Sequence, residues 1–302
     1  MTGQISRYFK LADLYVHLIF KEDRDYGMQL IPSFEPFVTS VPPKGVTVAL
    51  QLTVDNSLRP VAQENRKRVR AFDTGNGDTI VDMVKGGGYQ FIVKNIREEE
   101  CSLLVANSDF SNCHCALRGN YNMRSFGLNS ILMMAFAFAA SYHNALLIHA
   151  SLVRQNGWGY PFIAKSGTGK STQVSLWLRF LPGCDLMNDD NPIIRVIDGI
   201  PYIYGSPWSG KTPCYRNVKA RLGAIVRIDR APKNSIEKLS PMEGFASALP
   251  SCSSMKWDSV IFNNNCNTLT KVIETTNTYI LHCLPNREAA ELCNKTIRRD
   301  KE

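Results

Sequence analysis

The apolar and polar positions along the chain fall into two textures that change near residue 122. Before it, short runs rich in branched and aromatic side chains stand at 14–20 (LYVHLIF), 46–52 (VTVALQL) and 89–93 (YQFIV). Runs of this length and composition predict strands. Pro42-Pro43, Gly75-Asn76-Gly77 and Gly86-Gly87-Gly88 predict turns between them. This half holds no internal repeat and no obvious chemical constellation.

Between 127 and 143 the period lengthens. Leu128, Ile131, Leu132, Met134, Ala135 and Phe138 recur at helical spacing. The pattern predicts a helix capped by Asn129 or Ser130, with its Met and Phe stripe packed into the core of a second domain. An apolar run over 145–153 and a second arm over 160–164 flank Asn156-Gly157, a hairpin signal. The second arm leads into a glycine-rich loop, followed by a predicted helix over 172–180. Further on, 223–228 predicts a strand, and Ser240-Pro241-Met242-Glu243 reads as a capping box with proline in the first turn. A last strand over 279–284 precedes a terminal helix opened by Pro285-Asn286-Arg287-Glu288. The expected organisation is a β-rich domain over 1–122, of unassigned role, and a domain of α/β (α+β) type with a mixed sheet over 123–302.

Composition adds exclusions. Of 302 residues, 44% are hydrophobic and 21% charged, as in ordinary globular chains. The net charge of +8 is moderate. Its densest runs, Arg66-Lys67-Arg68-Val69-Arg70 and Lys295, Arg298, Arg299 and Lys301, lack interleaved aromatics apart from Phe72. They are read as solvated faces rather than a nucleic-acid surface, and a phosphate-rich ligand or an acidic partner would account for the remaining excess. The cysteines number nine, an odd count without repeated spacing, so no disulfide framework is expected. Cys113-His114-Cys115 is too tight for a zinc knuckle and reads as packed thiols. Residues 1–10 lack a signal-peptide core. The longest apolar run, 131–140, is roughly half a membrane span. A reduced, soluble, cytoplasmic chain with no membrane association is expected.

The chemistry is concentrated in Ala164-Lys165-Ser166-Gly167-Thr168-Gly169-Lys170-Ser171-Thr172. Small residues let backbone N–H groups turn inward around phosphate oxygens above a helix N-terminus. The lysine reaches the outer phosphates, and the following hydroxyl ligates Mg²⁺. Ser166, Gly167, Thr168, Gly169, Lys170, Ser171 and Thr172 are therefore candidate nucleotide-binding residues. Ala164 stands where the pattern has its first glycine. The strand before this loop is paired by a hairpin to its predecessor, unlike the parallel βαβ lead-in of the commonest phosphate-loop enzymes.

Downstream lies Met187-Asn188-Asp189-Asp190-Asn191-Pro192. Adjacent carboxylates at a strand end are costly unless a cation lies between them or they share a proton. One can hold Mg²⁺ while the other accepts a proton from an attacking hydroxyl. The same residues are also good turn formers.

His149 before the hairpin, Ser166-Gly167-Thr168-Gly169-Lys170-Ser171, and Asp189-Asp190 together resemble the catalytic domain of HPr kinase/phosphorylase, and more closely its shorter, PEP-carboxykinase-like relatives. Ser206-Pro207-Trp208-Ser209-Gly210-Lys211 and Arg216-Asn217 add to the likeness, which covers about 145–300. The resemblance implies a phosphate-loop domain of that family and an ATP- and Mg²⁺-dependent phosphotransferase. The acceptor would be a hydroxyl, foremost a Ser or Thr of a protein or peptide, and the assembly is open to homo-oligomers. By matching order, Asp189 would be the general base and Asp190 the metal-side carboxylate, an order that adjacency leaves open to exchange; Ser171 and Asp190 would hold the metal, with His149 near the acidic pair. Lys211, on a loop broken by Gly, Ser and Pro, is a candidate for neutralising charge on the transferring phosphoryl group. Arg216 is a weaker candidate, and Trp208 either stacks on substrate or closes the core. The signature that follows the acidic region in the HPr enzyme is not found, so HPr as substrate and phosphorolysis do not carry over. A small-molecule kinase, a carboxykinase-type enzyme and a non-catalytic nucleotide switch are the alternatives.

Overall fold

The alternating runs become strands of two separate sheets. The computed structural model describes residues 4–22, 27–73, 75 and 77–299. The chain divides into two compact units, Met1–Tyr142 and His143–Glu302. Each is built on a mixed sheet, which places the protein in the mixed α/β, or α+β, class. Asn76 of the predicted Gly75–Gly77 turn, Lys301 of the second basic run and the first three residues of the amino-terminal stretch lie outside the described residues.

The first unit contains β1 (Ile5–Leu11), β2 (Leu14–Phe20), β3 (Val38–Thr39), β4 (Val48–Val54), β5 (Arg66–Asp73), β6 (Asp78–Val84), β7 (Tyr89–Lys94), β8 (Glu100–Ala106) and β9 (Asn112–Leu117). They form one sheet in the order β3-β1-β2-β4-β9-β8-β7-β6-β5. Pairs β2–β4 and β4–β9 are parallel, and the other neighbours are antiparallel. The predicted runs at 14–20 and 89–93 are β2 and β7, while the run at 46–52 enters the sheet two residues late. Gly86, Gly87 and Gly88 all take positive φ in the β6–β7 turn.

Helix α1 (Tyr121–Ala140) differs from expectation in two respects. It starts earlier, because the Asn120 side chain accepts a hydrogen bond from the Met123 N–H and caps the helix ahead of its apolar stripe. It also belongs to the first unit rather than to a domain over 123–302. Its stripe packs on β4, β7, β8 and β9. Gly127 makes that approach close, since a Cβ there would lie 2.8 Å from the Cys101 carbonyl oxygen. The stretch Tyr121–His143 is long and apolar enough to cross a membrane by composition, yet 61% of its most apolar window is buried.

The first basic run lies on β5, at the edge of this sheet. Arg66 and Arg68 both reach the buried Asp82 carboxylate, so two of its four cations neutralise one internal charge. Cys113 and Cys115 point into the core while His114 is exposed, as alternation along β9 requires. Burial pushes both thiols well above their ordinary pKa. All nine cysteines are free thiols.

The second unit contains β10 (Ala145–Leu147), β11 (Ala150–Gln155), β12 (Trp158–Ile163), β13 (Cys184–Asp190), β14 (Ile193–Ile197), β15 (Ile200–Tyr204), β16 (Lys219–Leu222), β17 (Ile225–Arg230), β18 (Ser235–Lys238) and β19 (Thr278–Cys283). The path is β10-β14-β15-β16-β12-β17-β19-β18, with β11 paired to β12 and β13. Strands β12, β17 and β19 run parallel. Helices α2 (Lys170–Phe180) and α5 (Arg287–Ile297) bury Val174, Trp177, Ala289, Ala290 and Cys293 in one core. Helices α3 (Pro241–Ala248) and α4 (Ser259–Thr275) bury Ala248, Leu269, Val272 and Ile273 in another. Helix α3 carries the full capping box between Ser240 and Glu243.

Candidate functional site

The hairpin signal is realised at Asn156 and Gly157. Both residues have positive φ, 54° and 86°, the geometry of a two-residue turn between β11 and β12. The apolar run over 145–153 is not one strand, however. β10 pairs with β14, β11 pairs with β12 and β13, and His149 sits at the break. There the His149 N–H donates to the Ser251 carbonyl at 2.7 Å.

At the end of β12 the chain turns into the glycine-rich loop. Gly167 (φ 76°) and Gly169 (φ 129°) occupy backbone conformations that side chains rarely adopt, with open space around both. Ala164 is not among the residues with positive φ, so the departure from glycine costs the loop nothing. Gly169 is the N-cap of α2 and supplies no side-chain cap. The first-turn N–H groups are thus left to an outside acceptor, a site suited to an anion. Trp177, packed between Tyr160 and Phe162, holds α2 against β12. Arg230 from β17 donates to the carbonyls of Gly167 and Thr168 and ties the loop tip to the sheet.

Lys170 is buried. Its Nζ donates to the Ala164 carbonyl at 3.1 Å and lies 2.9 Å from His149 Nε2. The other imidazole nitrogen, Nδ1, is 3.0 Å from Asp190 Oδ1. With a charged lysine on one side and a carboxylate on the other, the geometry assigns one tautomer. Nδ1–H donates to Asp190, and Nε2 accepts from Lys170. Burial lowers the Lys170 pKa from its ordinary value, an effect opposed by Asp190 and Asp189.

Asp189 is 5% exposed and sits at the junction of three segments. Its Oδ1 accepts from Ser171 Oγ at 2.8 Å and from Ser151 Oγ at 2.7 Å, and the two hydroxyls are 3.2 Å apart. Its Oδ2 accepts from the Thr212 N–H at 3.3 Å. The loop over 205–213 folds onto the pair, with Gly210 N–H donating to the Asp189 carbonyl at 2.9 Å and Ser209 bridging to Asp190. Buried Asn188 fixes this loop through the Ser206 hydroxyl and the Trp208 carbonyl, at 3.1 and 3.0 Å. Asp190 is steadied by Asn191 Nδ2 at 2.6 Å.

The carboxylate beside the Ser171 hydroxyl is therefore Asp189, not Asp190, which faces His149. Ser151, Asn188 and Arg230 are site residues that the sequence does not single out. Ser151 stands two positions after His149, the spacing that puts both on one face of an extended chain. Lys211 is exposed on the loop and makes no ion pair or hydrogen bond among the described residues. Arg216 is engaged elsewhere, with Asp185 at 2.7 Å and the Leu186 carbonyl. Arg154 grips the other side of Asp185 at 2.9 and 2.7 Å. Burial would raise the Asp185 pKa, but hydrogen bonds from Arg154 and Arg216 outweigh it and hold the carboxyl below its usual range. Trp208 is buried and closes the core.

Among the described residues no group of three or more His, Cys, Asp or Glu side chains is placed to hold a metal ion. What the site offers is one carboxylate and two hydroxyls, a hard oxygen set. That set suits Mg²⁺, which binds through one or two carboxylates and takes its other ligands from water and phosphate. No family model matches the chain, and no curated protein matches it.

Proposed function

We propose that the second unit is an ATP-dependent phosphotransferase of HPr-kinase-like type, moving the γ-phosphate to a hydroxyl, foremost a serine of a protein or peptide. The observation that carries this reading is the convergence of Lys170 and Ser171, from the first turn of α2, with His149, Asp189 and Asp190. A binding site alone does not need a second carboxylate, held by histidine, beside the phosphate lysine.

The loop N–H groups and Lys170 hold the triphosphate, and Ser171 and Asp189 would hold Mg²⁺ with Ser151 steadying the carboxylate. The metal, when bound, neutralises charge between the outer phosphates. We assign the general-base role to Asp190 and the metal-side role to Asp189, exchanging the order that the sequence suggests. Asp190 is the more exposed of the two and has one donor on each oxygen, whereas buried Asp189 accepts two hydroxyls on Oδ1 and a backbone N–H on Oδ2. As the acceptor oxygen attacks phosphorus, Asp190 takes its proton and the bond to the bridging oxygen of ADP breaks. His149 holds Asp190 on one side and Lys170 on the other. It thereby fixes the distance between base and phosphate, and positioning of this kind supplies much of such a rate enhancement.

The test is transfer from γ-labelled ATP to a Ser/Thr peptide library, comparing wild type with Lys170→Ala and Asp190→Asn. Label should reach peptides with wild type and with neither variant. ATP binding without transfer to peptides, proteins or small alcohols would remove the reading.

A further inference from the structure

The two carboxylates lie on opposite faces of the second sheet. Residues directly opposite on paired strands share a face, and faces alternate along each strand. Asp190 stands opposite Ala150, which belongs to the core under α3 and α4. Asp189 stands opposite Ser151, whose hydroxyl meets Ser171 of α2 on the other face.

On the face of Asp190, a cavity of about 440 Å³ opens beside the phosphate loop. Ala164 and Lys165 line it from the loop, Arg227 and Asp229 from β17, and Pro250 and Ser251 from the turn after α3. Two of these residues are one hydrogen bond from the reacting groups. The Ala164 carbonyl accepts from Lys170 Nζ at 3.1 Å. The Ser251 carbonyl accepts from the His149 N–H at 2.7 Å, and His149 holds Asp190.

The polarity of a triphosphate in such a loop separates this space from the nucleotide's own. The lysine takes the outer phosphates, so the terminal phosphate belongs near Ala164 and His149, at the mouth of the cavity. The nucleoside is joined to the innermost phosphate and leaves from the other end. Attacking and leaving oxygens are roughly in line at phosphorus, so the acceptor must come from the side away from ADP. A volume of this size lies in the range of small-ligand pockets and admits a few side chains of a substrate.

The cavity also carries a charge preference. Lys165 is exposed and makes no hydrogen bond or ion pair among the described residues. Arg227 approaches Asp229 only at 3.9 Å, and Asp229 is shared with His282 Nδ1 at 3.8 Å. Contacts this long between partly exposed groups are worth little. Two cations therefore face one loosely held carboxylate, which leaves a net positive wall for an incoming anion.

We propose that this cavity is the acceptor site and that it selects a serine with an acidic residue close to it in an extended segment. Lys165 and Arg227 receive the substrate's carboxylate, and the serine hydroxyl meets Asp190. Its oxygen bonds to the γ-phosphorus, its proton passes to Asp190, and ADP leaves with the bridging oxygen. This rests on the phosphotransfer reading and names the acceptor for it.

The test is transfer from γ-labelled ATP, by the full chain with Mg²⁺, to three matched peptides whose single serine is flanked by Glu, Gln or Lys. The Glu peptide should exceed the Gln peptide about tenfold in kcat/KM, and the Lys peptide by more. Arg227→Gln and Lys165→Gln should each remove most of that advantage by raising the KM for the Glu peptide. Arg227→Glu should turn the order toward the Lys peptide, a result that a misfolded chain does not give. Equal use of the three peptides overturns the acidic acceptor while sparing phosphotransfer. So does a Glu preference that survives both neutral variants, or variants that raise the KM for ATP instead of peptide. Transfer to small alcohols and to no peptide also overturns it. ATP binding without transfer to any acceptor removes phosphotransfer and this proposal together.

Discussion

Ser151 and Asp189 stand opposite one another on the antiparallel strands β11 and β13, and the Ser151 hydroxyl donates to the carboxylate at 2.7 Å. The same oxygen receives Ser171 at 2.8 Å, so a strand residue and a helix residue share one acceptor. Ser151→Ala should leave metal-free ATP binding unchanged and raise the Mg²⁺ concentration needed for half-maximal transfer by about 10- to 100-fold, the usual consequence of losing a group that orients a metal ligand. Transfer rate measured against Mg²⁺ concentration checks this, and Ser151→Thr should restore most of the loss.

The two aspartates should separate in kinetics. Asp190→Asn should lower kcat by about 10²- to 10⁴-fold with Mg-ATP affinity nearly unchanged, as loss of a general base does. Asp189→Asn should weaken Mg-ATP binding as well. If Asp189→Asn alone lost kcat at full Mg-ATP affinity, the roles would be those the sequence order suggests.

Burial lowers the pKa of Lys170 below an ordinary lysine's 10.5. The ammonium is the form that attracts phosphate. Triphosphate affinity should therefore be full at neutral pH and fall on the alkaline side, with a midpoint below 10.5. Titrating ATP affinity upward from neutral pH reads the midpoint directly, and a decline only above the ordinary lysine value would contradict it.

Gly169 has φ 129°, a conformation that alanine enters only under strain. Gly169→Ala should destabilise the folded chain by about 1–3 kcal/mol and weaken nucleotide binding, although a Cβ there meets no neighbour within 4 Å. Thermal unfolding and ATP titration of the variant measure the two effects. Unchanged melting would show that the loop relaxes to a different backbone.

Asp185, held by Arg154 and Arg216, has a depressed carboxyl pKa. A depressed acid contributes stability above its unfolded pKa, and this is lost as pH falls through the folded value. Asp185→Asn should thus be less stable than wild type at neutral pH, with the gap closing in acid. Denaturant unfolding of both proteins at several pH values tests the sign.

What the sequence made legible was local. The loop, its lysine and hydroxyl, and the hairpin before them are contiguous, so their geometry follows from spacing. The non-local parts were hidden. Ser151 is a lone serine in an apolar strand, and only strand pairing brings it to Asp189. Helix α4 went unread because Asn263, Asn264 and Asn265 break its apolar pattern. Its inward stripe nonetheless carries Asn265 and Thr268 among Ile261, Leu269 and Val272, and Asp258 caps it through the Ile261 N–H. The start of α1 was displaced because Asn120 caps a stretch lying ahead of the stripe that announced it. The order of the aspartates depends on which face of β13 each occupies, and adjacency alone does not state it.

The turn at Asn156 and Gly157 bears on the site in one further way. It sets the phase of β11, and β11 is also the strand on which β13 is laid. Side chains on a strand alternate between faces. A displacement of β11 against β13 by one residue would bring Ala150 or Leu152 opposite Asp189 and leave the carboxylate facing aliphatic carbon. The hydroxyl environment of Asp189 is in this sense a matter of parity, and the irregularity between Leu152 and Val153, where β13 carries one extra residue, is the point at which that parity is set.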